Sequence, residues 1–561
     1  MGQFQPKIVE CMKHYSKNQL VKDIFAGILV AVIAFPLSVA LAISSGLSPE
    51  KGLYSAIIGG FFVSLFGGSK VNIGGITAAT VMTVFTIVDE YGLAGLAAAS
   101  IMAGVILILM GLFRLGGLLK YIPRTITLGF TAAIGVGIFT NQIKGFFGLQ
   151  IETVPVKFLE KMPALFGAAS TFQPAAVLVG AASIVILLVL PKINDKIPNS
   201  LAAILIMTPV VTIFKIPVST IHSVYGDLPT HFPYPEIHML SLETLVDLLP
   251  LSVTLAILIA IVSLLACSVT DGLMGEKHNS NQELIAEGIA NIFCGIFGAA
   301  PVAGAVARAS NNVKNGGRTP IAGMVHSVVV TLILLFLMPL AGYIPMPVLS
   351  AVLIVVAVNM CNIKEFVYIG KHAPKSDFIV LMVTLFSGVL VDLLFAVEVG
   401  IILTAILLMK RMADVAEIQN YVYVGNSGNP DSDLDAPNPE DEIIRSLPEH
   451  TLVYRFLGPL FFAAADNFDI ITTPDTLKYM ILQMRSVPAL DGAAMRHLNN
   501  LRKHCVEQGI ALVLCGVQEQ PMRAMKRYGL IEALGEDNIC CNLVAAADRV
   551  KALDAKNSAA E

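Results

Sequence analysis

Apolar runs long enough to enter a bilayer begin at Ile24 and recur as far as Lys410. A helix needs about 20 apolar residues to cross roughly 30 Å of hydrocarbon. The spacing predicts segments at residues 24–45, 52–67, 77–88, 93–113, 125–142, 174–190 and 199–213. A second set falls at residues 247–268, 284–298, 302–311, 320–341, 345–361, 376–391 and 392–409. Backbone polar groups in hydrocarbon must be satisfied within their own segment, so such a chain is confined to an α-helical multi-pass membrane protein. Composition agrees. Mean hydropathy is +0.74 and only 14% of residues are charged, against about 25% in a soluble domain.

Two segments, the third and the tenth, are too short to cross as helices, and both follow small-residue breaks. The first break is Gly74-Gly75-Ile76-Thr77-Ala78; the second runs from Gly298 through Pro301 and Gly304 to Arg308. Glycine and proline release the backbone from helical geometry, and a helix restarting at about Val302 would expose its first N–H groups. The positive end of that helix, with the Arg308 guanidinium, makes an anion site without a deep charged cavity. Interrupted segments at corresponding places in two halves point to a transporter's substrate site. Seven segments per half, an odd number, is what inversion of one half relative to the other requires.

Loops after even-numbered segments carry twelve Lys and Arg, those after odd-numbered segments five. This bias places the even loops inside the cell, with the four-lysine N-terminus (1–22) and the region after Lys410-Arg411. The expected location is the cell membrane, inner or plasma, with both termini cytoplasmic. Met1–Lys22 is polar and lacks the apolar core of a cleaved signal peptide. The eight cysteines form no CxxC pair, so they read as reduced packing residues. With no P-loop, no nucleophile–base pair and no zinc spacing, an enzyme or ATP-driven pump is excluded, and no cofactor or metal is implied. A net charge of −4 gives no reason to expect a nucleic-acid partner.

Composition changes after residue 411. Residues 412–445 read as a linker, with Gly425–Pro430 and the acidic run to Glu442 as a mobile loop. From Thr451 the pattern is soluble α/β: Leu452–Phe456 and Ile510–Cys515 are strand-like, with a helix between Asp491 and Gly509. Asp491 is placed to cap that helix, and Ala494, Leu498, Leu501 and Cys505 share one face. A compact α/β domain is expected at 446–556, with a tail at 557–561.

Several separated motifs resemble one family. In the membrane part they are Phe35-Pro36-Leu37-Ser38-Val39-Ala40, Gly52-Leu53-Tyr54-Ser55 and His278-Asn279-Ser280-Asn281-Gln282-Glu283-Leu284-Ile285-Ala286. Further along come Pro301 to Arg308, Asn312 and Gly316-Gly317-Arg318-Thr319. Together they resemble the sulfate permease (SulP) family of anion transporters, which includes animal anion exchangers and prestin. Leu457–Phe462 and Val487–Asp491 resemble that family's STAS domain. The resemblance implies fourteen segments in a seven-plus-seven inverted repeat, split into core and gate domains across residues 23–411, in a homodimer with elevator-type motion. By position it assigns the anion pocket to Phe35, Leu37, Leu41, Thr77, Ala78, Ala305, Val306, Ala307 and Arg308. It implies a small anion as partner (sulfate, bicarbonate, chloride or a dicarboxylate), with a coupled proton, sodium ion or counter-anion.

The chain departs from the family pattern at Val262, where many bacterial members carry a carboxylate, and at Ile76, commonly proline. Gly492 replaces the phosphorylatable serine of some STAS domains, which excludes phosphorylation there. Arg308 sets the chain apart from the sodium-coupled bicarbonate members, which lack it. Elsewhere Pro36 marks a kink or unwound turn, and Asp271 ends its segment at the surface. His278 reads as a solvated loop residue; Asp392, Glu398 and Glu287 read as pairing groups near segment ends. An anion channel or voltage-responsive protein of the same architecture, or a nucleobase permease, are the alternative readings.

Overall fold

The computed structural model describes residues 5–558 except 14, 118–122, 152–153, 156, 194–197, 236–240, 416, 425–438, 462–470 and 472–475. The chain forms two units, Met1–Ile402 and Leu403–Glu561. The expected mobile loop falls largely outside the described residues.

In the first unit the helices are α1 (Lys17–Ser44), α2 (Pro49–Phe66), α3 (Val81–Leu112), α4 (Arg124–Phe147), α5 (Pro174–Ile193), α6 (Asn199–Ile213) and α7 (Leu242–Met274). They continue with α8 (Ser280–Ile296), α9 (Val306–Lys314), α10 (Ile321–Ala341), α11 (Met346–Met360), α12 (Lys375–Leu390) and α13 (Leu393–Val415), the last of which runs on into the second unit after Ile402. A single 3₁₀ turn, Ala78–Thr80, leads into α3. That helix breaks at Gly92, whose φ of 67° and ψ of −168° lie outside what a side chain tolerates. Counting the two sides of Gly92 separately gives fourteen segments, seven before residue 242 and seven after, so the fold is α-helical and multi-pass. Among the described residues, eight stretches are long and apolar enough to cross a membrane by themselves.

Pro36 lies inside α1, and the helix continues through it without an unwound turn. Proline removes one N–H and so one backbone bond, a loss the buried flanks of a long helix tolerate. The tenth segment begins later than expected: the helix starts at Val306 rather than Val302. The intervening Ala303-Gly304 (β2) is extended and pairs antiparallel with Gly74-Gly75 (β1), Gly74 opposite Gly304 and Gly75 opposite Ala303. The two breaks therefore satisfy each other's backbone. An antiparallel pair has local two-fold symmetry, which is consistent with an inverted repeat.

The second unit holds a five-stranded sheet in the order β3 (Glu417–Val424), β4 (Thr451–Leu457), β5 (Tyr479–Ser486), β6 (Ala511–Cys515) and β7 (Ile539–Cys540). β3 is antiparallel to β4 and the others are parallel. Residues 417–424, read from sequence as linker, are thus an edge strand of the sheet. Strand residues alternate between two cores. Leu452, Tyr454 and Phe456 join Ala494, Leu498 and Cys505 of α14 (Gly492–Glu507) on one side. Val453 and Ile481 join Leu543, Ala547 and Val550 of α15 (Leu543–Ser558) on the other. Asp491 caps α14, accepting from Ala493 N at 3.0 Å and Ala494 N at 2.9 Å. Asp491→Ala is expected to cost about 1 kcal/mol, read as roughly fivefold faster amide exchange in the first turn of α14 in the intact chain.

Candidate anion site

Paired breaks within a bilayer raise an immediate problem, because every extended peptide group there needs a partner. Beyond the backbone pairing of the two breaks, the sequence supplies several partners from polar side chains on neighbouring helices. Ser263 of α7 accepts from Gly304 N at 2.8 Å. Asn291 of α8 accepts from Val302 N and donates to Val302 O, both at 2.9 Å. Ser55 of α2 donates to Ala300 O, and Asn312 of α9 to Val71 O. Glu283 of α8 accepts from Gly68 N at 2.7 Å, Ser69 N at 2.9 Å and Asn72 Nδ2 at 2.6 Å.

Onto this scaffold α9 brings Arg308, 3% exposed. Its Nη1 donates to Gly74 O at 3.1 Å; Nη2 donates to Ser38 Oγ at 3.0 Å and to Ile76 O at 3.4 Å. The guanidinium lies so close over Gly75 that a Cβ there would fall 1.5 Å from Nη1. Of its five N–H donors, three are used. No carboxylate among the described residues forms an ion pair with it. A buried cation without a counter-charge is costly, and the cost falls when an anion arrives.

Two helix starts converge on the same place. α9 has Ala305 as N-cap with no side-chain bond, and the 3₁₀ turn before α3 has Thr77 in that role, again without one. Thr77 Oγ1 is buried and lacks a hydrogen-bond partner. The first N–H groups of both turns have no carbonyl of their own helix to reach.

Residues 20–384 match the sulfate permease family and residues 442–546 the STAS domain. The chain belongs to the sulfate permease family. YvdB of Bacillus subtilis (strain 168), whose name gives it as a candidate sulfate transporter, is 37% identical over 94% of this chain and 97% of its own length. The bicarbonate transporter BicA of Picosynechococcus is 28% identical, over 92% of each chain. The transmembrane domain of a cyanobacterial BicA superposes with a TM-score of 0.59 at 29% identity, covering 68% of this chain and 98% of that one. The murine Slc26a9 anion transporter in its inward-facing state superposes with a TM-score of 0.83 at 20% identity, over 98% of this chain and 94% of that one, which shows a shared fold. This is a family of transporters, not enzymes.

In this chain the nine expected pocket residues do not share one cavity. Arg308, Thr77 and Leu41 are buried; Ala78, Ala305 and Val306 are half-buried and Ala307 is exposed. Ala78 lines a cleft of about 570 Å³ between α3 and α4. Phe35 lines a separate apolar groove with Leu201, Ile204 and Ile333. Leu37 packs on Ala351 and Val352 of α11. Ser38, not Phe35 or Leu37, is the α1 side chain that meets Arg308. Its hydroxyl, and that of Ser263, went unassigned in the sequence because serine within an apolar helix ordinarily bonds its own backbone.

Two sequence readings are corrected nearby. His278 is not solvated: its side chain is 10% exposed, with Nδ1 2.7 Å from Asp271 Oδ2 and Nε2 2.9 Å from Ser280 Oγ. Glu287 is not near a segment end: it lies fully buried in the middle of α8, beside Ser263 and Gly304 of the second break rather than beside a charged partner. The α-helical spacing that sets Glu283 against the Gly68–Asn72 turn carries residue 287 one turn deeper, past those donors.

Proposed function

We propose that this chain is a secondary active transporter of a small anion, sulfate and bicarbonate first among the candidates, with chloride and small dicarboxylates alongside them. The observation that carries the reading is a 3% exposed guanidinium without a carboxylate partner, set where two uncapped helix starts converge. In this reading the anion rests against Thr77, Ala78, Ala305, Val306, Ala307 and the two unused donors of Arg308. Exposed first-turn N–H groups and a delocalised cation favour an oxyanion or halide over a neutral base. The 37% identical relative named for sulfate and the 28% identical one named for bicarbonate support the same choice.

The paired breaks move with α3 and α9 as one body against α4 and α13, carrying the anion between the two membrane faces. That is an elevator-type cycle in a homodimer, its termini cytoplasmic by the charge bias, with the STAS domain regulating rate or assembly. The driving partner is a proton, a sodium ion or a counter-anion.

The test is flux into proteoliposomes, with sulfate, bicarbonate, chloride and fumarate screened with and without sodium. Arg308→Ala is expected to lower saturable uptake by about tenfold or more, while Arg308→Lys keeps a charge but loses the bridge to Gly74 and Ile76 and recovers only part of it. Saturable uptake equal to wild type in Arg308→Ala would sink the reading.

A further inference from the structure

A second buried cation, this one a lysine, lies in the cleft that reaches Ala78. The connection between α4 and α5 contains a short helix, Phe158–Gly167, whose first turn places Lys161 inward, 2% exposed. Its Nζ donates to Asn141 Oδ1 of α4 at 2.5 Å, and Asn141 Nδ2 lies 3.5 Å from Met82 Sδ of α3. Met82, in the first turn of α3, lies four residues beyond Ala78, which opens the 3₁₀ turn leading into that helix. Lys161, Met82 and Ala78 all line the 570 Å³ cleft. The ammonium therefore stands a turn or two from the helix start of the anion site, inside one continuous space.

Of its three N–H donors one is used. The charged groups that line the cleft with it are Lys157 just before its helix and Glu160 within it, Asp89 and Glu90 from α3, and Asp392 at the start of α13. All five are exposed, and none of the carboxylates pairs with Lys161. α4, α7 and α12 contribute Thr140, Leu251, Thr254 and Gly388, which are uncharged. The rim is thus acidic and wet, where water and salt weaken charges, while the single buried charge deeper in is positive.

We propose that Lys161 forms a second anion-holding point in this cleft, taking the transported anion on its way to or from the Arg308 site. This rests on the transport reading and deepens it. An anion of the size of sulfate fits a space of this volume, and two free ammonium donors with the Thr83 hydroxyl in the same lining supply its polar contacts; Thr86 and Thr140 spend their protons on Met82 O and Gly137 O. The charge of this site is adjustable. Burial brings the Lys161 amine down to about 8 from its ordinary 10.5. As pH rises through that value the amine loses its proton and its hold on an anion.

Sulfate is the suitable probe, because its own charge is constant across this range. Uptake into proteoliposomes is measured as pH is raised on each side separately, the other side being buffered. In wild type the half-saturating sulfate concentration is expected to rise about tenfold between about pH 7 and pH 9.5. The rise should follow the pH of the side that Glu90 and Glu160 face, outside by the charge bias. Lys161→Arg should keep the low-pH affinity and abolish the rise, since guanidinium does not titrate there. Lys161→Met should show the weak high-pH affinity throughout. Folding is checked independently, because Lys161→Met removes a buried charge and is expected to melt no lower than wild type. The proposal is overturned if Lys161→Met keeps the wild-type affinity at neutral pH, or if Lys161→Arg titrates as wild type does. Wild-type protein that takes up none of the four anions saturably would overturn the transport reading itself, and the Lys161 site with it.

Discussion

Replacing Gly75 with alanine is expected to cut saturable anion uptake by about tenfold or more while leaving the protein folded. The new Cβ would lie 1.5 Å from Arg308 Nη1, 2.5 Å from Cζ and 3.0 Å from Nη2. The backbone cannot retreat, because Gly75 is paired with Ala303 and the flanking carbonyls of Gly74 and Ile76 hold the same guanidinium. The arginine must swing away, giving up both carbonyls and Ser38. A loss of roughly tenfold or more in uptake, equivalent to about 1.4 kcal/mol, is the expected scale. A double-mutant cycle makes this a statement about Arg308 rather than about crowding. Gly75→Ala combined with Arg308→Ala should transport no worse than Arg308→Ala alone, since the clash has lost its partner. Gly272→Ala is the control: a Cβ there meets nothing within 4 Å. Additive losses in the double variant would place the effect of Gly75 elsewhere.

Which parts were legible in the sequence follows from the range over which each feature is determined. Segment lengths and the two short half-helices are local: apolar runs and glycine breaks state them directly, and all fourteen are found. The break at Gly92 falls in the gap between residues 88 and 93. What the breaks do with each other is not local, because Gly74 and Gly304 carry no side chain to advertise a pairing across most of the domain. The same holds for Ser38, Ser263 and Asn291. Each is a single polar residue in an apolar run, which in isolation reads as a helix bonding to itself. A better signal was available: a polar residue buried in a membrane segment needs a partner, and the glycine-rich breaks are where unpaired backbone occurs. Phe35 shows that position within a motif does not fix which way a side chain faces. Position within a motif placed it in the pocket, whereas α-helical rotation puts Ser38 toward Arg308 and Phe35 toward the apolar groove. The strand Glu417–Val424 was missed because the polar run after it dominates local composition, while its partner β4 comes only after the acidic stretch.

Glu283→Ala should be the most destabilising single change in the transport unit. The carboxylate is fully buried and accepts from Gly68 N, Ser69 N and Asn72 Nδ2, so truncation strands three donors at once. Each buried group left unpaired costs about 1–3 kcal/mol, and interhelical bonds in membranes lie at the lower end of that range. A loss of about 3 kcal/mol is a large share of a total of about 5–15 kcal/mol. The expected readout is a thermal midpoint well below wild type and a small monodisperse fraction on size exclusion. Function should suffer beyond the amount of folded protein. Asn72, which Glu283 orients, sits where a Cβ on Gly304 would be, with Nδ2 at 2.3 Å from that position, so it abuts the strand opposite Gly74. Freed from Glu283, Asn72 no longer fixes that strand, and the Arg308 carbonyl cradle loosens with it. Glu283→Gln separates the two effects. Its single amide oxygen can serve the two backbone donors, while its NH2 group meets Asn72 donor against donor until that amide turns its unpaired Oδ1 inward, which takes Nδ2 off its place against Gly304. Stability should then be largely kept and uptake per folded molecule reduced. A Glu283→Ala protein as stable as wild type would show that these three bonds do not hold the turn before the first break.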